Sequence, residues 1–260
     1  MSRTTKTPIS RWNGEQIVIS SDDLAQESLI VLRYNDSLVA NLLGTPADIG
    51  ELLLGHLICE GLLPIDTDIP SEDSLVVEES LGSYSVSLKA QPELINPKDS
   101  ERIVTSSCGA CNSDDLELLI SHLPMIERDS HSLDFKLLNQ CFNEMKSRQL
   151  AFHSTGGMHA AGITDSDYNL LFVMEDIGRH NAVDKVIGKS LKEGIDLSKS
   201  FLLLSGRCGW DIVAKASRSG VKNIASIGAC SSLAAKAARH TGVRIVSFLK
   251  PDNAVIIGHN

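Results

Sequence analysis

Aromatic residues are scarce in this chain, at 4% of 260 residues, which argues against a surface built to stack bases. Positive charge is also short: 24 Lys and Arg stand against 33 Asp and Glu, a formal net charge of −9. General attraction to nucleic acid or to an acidic membrane is therefore not expected, and an anionic ligand would need a local cluster of cations. No apolar run approaches the roughly 20 residues that cross a bilayer. Positions 1–12 are polar and basic and lack the apolar core of a secretory signal, so a cytoplasmic location is expected. Six cysteines (Cys59, Cys108, Cys111, Cys141, Cys208 and Cys230) in such a chain read as free thiols, not as a disulfide framework.

What is present is enough apolar residue, 42%, to bury a core, in a length that fits one large domain or two modest ones. The first hundred residues read as a small α+β unit. Strands are predicted at 17–19, 28–32 and 37–40, with Asn35-Asp36 as a turn, and again at 75–77 and 84–88. A helix is predicted over 48–63, with Asp48 as its cap and Gly61 and Pro64 ending it. Further helices fit 114–123 and 134–148. From residue 150 onward strands (160–163, 170–174, 201–204, 223–227, 244–249) alternate with helices (181–192, 210–219, 231–240). Gly194, Gly220 and Gly242 stand where helix ends are expected. That alternation predicts an α/β layer sandwich with a largely parallel sheet.

The strand-to-helix turns of this half carry unusual chemistry. Glu175-Asp176-Ile177-Gly178-Arg179-His180-Asn181, Ser205-Gly206-Arg207-Cys208-Gly209 and Gly228-Ala229-Cys230-Ser231-Ser232 each follow an apolar strand and open a helix. In parallel α/β sheets such turns gather at one edge, where helix N-termini offer free N–H groups to anions and arginines add charge-assisted bonds. A phosphate-bearing ligand at that edge is one reading; glycines for tight turns, with Arg179 and Arg207 paired to Glu175, Asp176 or Asp184, is the other. Residues 152–159 read as a loop bearing Gly156 and Gly157, flanked by His153 and His159. With His180 and the cysteines these histidines could form a metal site, but no helical metal-ligand spacing such as His-Glu-x-x-His is present.

Cys108-Gly109-Ala110-Cys111 is the tightest pairing of reactive residues in the chain. A Cys-x-x-Cys supports a soft metal, dithiol–disulfide exchange, or sulfur carried as persulfide. A structural zinc would need two more ligands at similar spacing, and no second Cys-x-x-Cys or Cys-x-x-His exists. Zinc deaminases use His-x-Glu with Pro-Cys-x-x-Cys; here Ser107 precedes Cys108 and Ala160-Ala161 follows His159, so the acid–base glutamate is missing. Asp114 and Asp115 already answer the dipole of the helix that follows, which weakens the case for a specialised disulfide exchanger. Two incidental loop cysteines are the bland alternative. Cys59 and Cys141 are expected in the core, and Cys208 and Cys230 as small space-fillers.

Several segments together resemble the formate dehydrogenase accessory sulfurtransferase (FdhD) family. They are Gly55-His56-Leu57-Ile58-Cys59-Glu60-Gly61, Ser106-Ser107-Cys108-Gly109-Ala110-Cys111, Phe152-His153-Ser154-Thr155-Gly156-Gly157-Met158-His159-Ala160-Ala161, Ser205-Gly206-Arg207 and Ser231-Ser232-Leu233-Ala234. The most specific is Glu175-Asp176-Ile177-Gly178-Arg179-His180-Asn181-Ala182-Val183-Asp184-Lys185-Val186-Ile187-Gly188. The resemblance implies a cytidine-deaminase-like three-layer α/β/α fold over 126–260, with an N-terminal α+β portion over 1–125 that ends in the Cys-x-x-Cys loop. It implies a homodimeric sulfurtransferase that accepts sulfur from a cysteine desulfurase. That sulfur passes to the molybdenum cofactor, as bis(molybdopterin guanine dinucleotide), for a formate dehydrogenase, with no permanent metal.

By the same resemblance Cys108 matches the persulfide-forming cysteine and Cys111 its partner. Phe248, Leu249, Lys250, Pro251, Asp252 and Asn253 match the cofactor-contacting stretch. Gly156, Gly157, His159, Gly178, Arg179, His180, Ser205, Gly206 and Arg207 are the remaining candidates for cofactor binding, with the guanine nucleotide as one recognised part. Asn112 and Cys208-Gly209-Trp210 depart from the family pattern. A molybdenum-cofactor-binding or zinc-binding chaperone without sulfur transfer is the alternative.

Overall fold

A computed structural model describes residues 1–68, 74–90, 103–104, 116–129 and 132–258. Cys108 and Cys111, with the start of the helix expected at 114, lie outside the described residues.

Two sheets are built from opposite logics. In the first half, β3 (Ser28–Tyr34) and β4 (Ser37–Gly44) form a hairpin through Asn35 and Asp36, both at positive φ, 47° and 63°. These short polar residues tolerate the left-handed turn whose twist matches the flanking strands. With β5 (Leu75–Ser80), β6 (Ser83–Leu88) and β7 (Ile103–Val104) they make a five-stranded sheet, order β5-β6-β3-β4-β7. Ile30, Leu32 and Tyr34 alternate inward on β3, as Tyr84, Val86 and Leu88 do on β6. They pack on α1 (Ile49–Cys59), which is shorter than the expected 48–63. Asp48 does not cap α1 through its side chain; it sits at φ 56° and its carboxylate accepts from Arg3 Nη2 at 2.7 Å. Before this sheet, β1 (Thr4–Trp12) and β2 (Ile17–Ala25) form a separate hairpin. Its first strand was hidden in a polar sequence because the hairpin buries little.

The second half forms a six-stranded sheet from β8 (His159–Thr164), β9 (Leu170–Asp176), β10 (Phe201–Leu204), β11 (Asn223–Ser226), β12 (Arg244–Lys250) and β13 (Asn253–Ile257). Its order is β13-β12-β11-β10-β8-β9. The expectation of a largely parallel sheet is corrected: only β10–β11 and β11–β12 are parallel. The reason is connection length. Residues 165–169 join β8 to β9, and residues 251–252 join β12 to β13. A parallel crossover needs a dozen residues or more.

Leu202, Leu204, Ile224 and Ile245 face a layer of α5 (Arg179–Lys192), α6 (Trp210–Arg218) and α7 (Ser232–Thr241). Phe201, Leu203, Ala225 and Val246 face α3 (Phe135–Arg148) on the other side, after the short α2 (Leu116–Ser121). The result is the expected three-layer α/β/α arrangement. Asp134 caps α3, accepting from Lys136 N and Leu137 N, and Gly194, Gly220 and Gly242 all take positive φ, from 68° to 89°, where helix ends were expected.

The loop reading of 152–159 is corrected in part, because α4 (Leu150–Thr155) occupies its first half. Its start is held from outside: Ala151 N and Phe152 N donate to the Glu175 carboxylate at 2.9 and 2.7 Å. A short helix with no apolar periodicity of its own was invisible without that partner.

The two halves meet where α1 crosses α5. A methyl added at Gly55 would lie 1.8 Å from Asp184 O, and one at Gly188 would lie 1.9 Å from Glu51 O. Backbone touches backbone at this crossing. It is also why α1 is buried on nearly every side, between the five-stranded sheet and α5.

Candidate functional site

Because β8 is antiparallel to both β9 and β10, strands β9 to β12 all point the same way and β8 starts where they end. The expected edge therefore exists. His159 opens β8 opposite Asp176, the last residue of β9. Ala160 N donates to Ser205 Oγ at 2.8 Å and Ser205 N to Ala160 O at 3.0 Å, which fixes the turn after β10 beside His159. A methyl at Gly206 would stand 3.4 Å from His159 Nδ1. The next turn is pressed against the same place: a methyl at Gly228 would come 2.6 Å from Gly206 O. Ser226 Oγ donates to Gly206 O at 2.5 Å and accepts from Gly228 N at 3.0 Å.

Arg179 and Arg207 are exposed at this edge. Neither pairs with Glu175, Asp176 or Asp184; Arg179 stands 3.7 Å from Asp211 Oδ2, and Arg207 makes no ion pair among the described residues. Their charge is felt by His159, whose pKa is lowered by partial burial and then by both guanidiniums. An acidic chain thus carries a local cationic spot. Gly156 and Gly157 lead into His159 from the end of α4. Phe248 touches the same turns through its N–H to Gly228 O at 3.1 Å and sits at φ 52°, at the register shift in β12. Lys250 pairs with Asn253 across a turn formed with Pro251 and Asp252, and both lysine and asparagine are exposed, whereas Leu249 is buried against the α3 side. Among the described residues no three of His, Cys, Asp and Glu converge as a metal site would require. His153 points away, with Nε2 bonded to Lys146 O at 2.7 Å.

Sequence reasoning missed the buried supports of this edge. Asp176, fully buried, accepts from Thr45 N (3.0 Å), Gly178 N (2.7 Å), Asn181 Nδ2 (3.1 Å) and Lys185 Nζ (2.6 Å). Asn181 also donates to Leu43 O, and Lys185 to Thr45 O, so one carboxylate ties β4, β9 and α5 together. One turn further along α5, Asp184 accepts from Lys215 Nζ at 2.7 Å and bonds His56 Nδ1 at 3.1 Å. Lys215 also reaches Glu60 at 2.9 Å. Burial alone would raise Glu60, but Lys215, His56 and Arg218 outweigh it and hold the carboxyl at about 2. The long run from Glu175 to Gly188 is therefore mostly scaffold: it caps α4, anchors the turn, pairs buried charges and permits the helix crossing. Only Arg179 in it is exposed toward solvent at the edge.

His180 is a support of the same kind. Its Nε2 contacts the Asp211 carboxylate, and both side chains are buried. Burial pulls the His180 pKa down to about 4, against the upward pull of Asp211 and with Arg179 and Lys215 adding to the fall. The unfolded chain takes up its proton near the ordinary 6.5 and the folded chain only near 4. Stability from this group is thus complete above about pH 6.5 and lost as pH falls toward 4, by up to about 1.4 kcal/mol per pH unit. The urea midpoint of the wild type should drop more steeply between pH 6.5 and 4.5 than that of His180→Gln. Equal slopes would remove His180 from the acid sensitivity.

Comparison with known proteins agrees with this architecture. Residues 25–260 match the FdhD/NarQ family. The chain is 32% identical to the sulfur carrier protein FdhD of Thermoplasma volcanium, over 98% of this chain and 94% of that protein. It is 33% identical to that of Mycolicibacterium paratuberculosis, over 97% and 96%. The fold is similar to the crystal structure of a putative formate dehydrogenase accessory protein from Desulfotalea psychrophila. The TM-score is 0.71 at 20% identity, over 99% of this chain and 98% of that one. With family match, relatives and fold in agreement along nearly the whole length, the chain belongs to the FdhD/NarQ family.

Proposed function

We propose that this protein is a cytoplasmic sulfur carrier whose persulfide forms on Cys108. The Cys108 thiolate attacks the outer sulfur of a persulfide on a cysteine desulfurase; a Cys108–S–SH forms and the donor leaves as thiolate. The Cys111 thiolate then attacks the inner sulfur, closing a Cys108–Cys111 disulfide and releasing the outer sulfur as hydrosulfide to the molybdenum of bis(molybdopterin guanine dinucleotide), the substrate held at the sheet edge, on its way to a formate dehydrogenase. An external thiol reduces the disulfide and resets the pair. Cys111 helps to hand it over, and a homodimer is the working unit. The observation that carries this reading is the cationic edge: Arg179 and Arg207 flank His159 among glycine turns, in a chain whose net charge is −9. A diphosphate suits such a place, because guanidinium–phosphate bonds are charge-assisted and helix starts supply N–H donors. The names of the relatives, sulfur carrier proteins, supply the other half of the argument.

One experiment tests both halves. After incubation with a cysteine desulfurase and cysteine, intact mass should show one added sulfur on the wild type and on Cys111→Ala, and none on Cys108→Ala. In parallel, calorimetry should show guanosine diphosphate binding weakened about tenfold or more in Arg179→Ala/Arg207→Ala, since each lost charge-assisted bond is worth about 1.5–3 kcal/mol. Stoichiometric zinc with no sulfur adduct would overturn the carrier reading. Loss of the adduct in Cys111→Ala alone would move the persulfide to that cysteine.

A further inference from the structure

Cys208 follows β10 and Cys230 follows β11, which are parallel neighbours. The two residues face each other as a lone parallel bridge, continuing the register of Leu204 with Ser226. Backbone bonds lock the bridge on both sides: Cys208 N donates to Ala229 O at 2.9 Å, and Ser231 N to Cys208 O at 3.1 Å. Residues so paired stand about 4.8 Å apart, within the roughly 4.4–6.8 Å Cα separation a disulfide spans. Each thiol donates locally, Cys208 Sγ to Gly209 O at 3.9 Å and Cys230 Sγ to Ser231 O at 3.4 Å. Their proximity raises the Cys208 pKa and lowers that of Cys230. Burial pushes both thiols up, and Arg239 adds to the lowering at Cys230.

The two cysteines differ in access as a nucleophile and a resolving thiol should. Cys208 is 1% exposed, whereas Cys230 is half-buried and immediately precedes Ser231, the cap of α7. A cysteine at a helix start is favoured as thiolate. Cys59 and Cys141 offer the contrast: both are buried, and burial raises both thiols.

We propose that Cys230 and Cys208 form a second thiol-reactive site of this protein, one that takes low-molecular-weight disulfides. The Cys230 thiolate attacks one sulfur of R–S–S–R, forms Cys230–S–S–R and expels R–S⁻. Cys208 then loses its proton to solvent and attacks the Cys230 sulfur, closing the Cys208–Cys230 disulfide and expelling the second R–S⁻. The disulfide reagent is reduced to two thiols and the cysteines are oxidised. The product links the turn that carries Arg207 to the turn that opens α7. None of this depends on the sulfur-carrier reading.

The test uses full-length Cys108→Ser/Cys111→Ser protein and glutathione disulfide as the probe. Intact mass should show loss of two hydrogens with no glutathione retained, and digestion should yield a linked peptide joining 208 to 230. Adding Cys208→Ser should trap one glutathione on Cys230; adding Cys230→Ser should abolish reaction. The Cys230→Ser arm stands alone if the buried Cys208 substitution impairs folding. Unchanged reaction in Cys230→Ser, an adduct on Cys59 or Cys141 instead, or no reaction in the parent protein would overturn the proposal. Each outcome is independent of sulfur loading on Cys108, which the Cys108→Ser/Cys111→Ser variant lacks.

Discussion

Gly188→Ala is expected to lower the urea midpoint of this protein by about 1 M or more. Local preference argues for the opposite sign, since alanine in place of glycine inside a helix gains about 1 kcal/mol. The crossing decides against it. The new methyl would lie 1.9 Å from Glu51 O and 2.8 Å from both Glu51 C and Gly55 N, all of them backbone atoms of α1. A flexible side chain could swing away; a helix backbone cannot without moving α1 off α5. Overpacking costs about 1–3 kcal/mol where neighbours adjust, and more where they do not. At about 1–3 kcal/mol per molar of urea, a net loss of some 3 kcal/mol gives the expected shift. Gly55→Ala should behave alike, because its methyl meets Asp184 O at 1.8 Å. A midpoint that holds or rises in both would show that the helices do not approach so closely.

Lys185→Met should cost about 3–5 kcal/mol, because it leaves the Asp176 carboxylate buried without a countercharge. Lysine and aspartate side chains are both fully buried and 2.6 Å apart. Three neutral donors remain on Asp176, from Thr45, Gly178 and Asn181, and they soften the loss without cancelling the charge. Asp176→Asn should be costly for the mirrored reason, an unpaired buried ammonium. Lys185→Met/Asp176→Asn should then cost clearly less than the sum of the single changes. Thermal or urea unfolding of the four proteins gives the coupling directly; simple additivity would mean that the two charges do not stabilise each other. Since Asp176 also holds Gly178 N, the single variants should disturb the Arg179 turn and weaken guanosine diphosphate binding as well as stability.

Much of the secondary structure could be read from local pattern. β10 was expected at 201–204 and is Phe201–Leu204, and the helix expected at 134–148 runs Phe135–Arg148 behind its Asp134 cap. Such features depend on neighbours a few residues apart. What escaped depends on distant ones. α4 takes its first bonds from Glu175, and β8 runs against its neighbours because residues 165–169 are too few for a crossover. Cys208 and Cys230 looked like fillers until parallel register set them face to face. A signal was available, since each follows its strand at the same offset, but it has meaning only once β10 and β11 are known to be adjacent.

The sequence by itself determined the chemistry on offer: Cys108 beside Cys111, arginines and glycines after apolar strands, a net charge that makes any cationic spot a local construction. It also determined most of the elements, α4 and β1 excepted, because periods of 3.6 and 2 are local properties. Tertiary structure alone decided which of the charged residues in the Glu175 to Gly188 run face solvent and which are scaffold. Asp176 and Lys185 are hydrophilic in any local reading; they are buried because partners such as Thr45, more than a hundred positions away, replace the water they lose. Arg179 stays exposed at the edge, next to Gly178, whose N–H the same carboxylate holds.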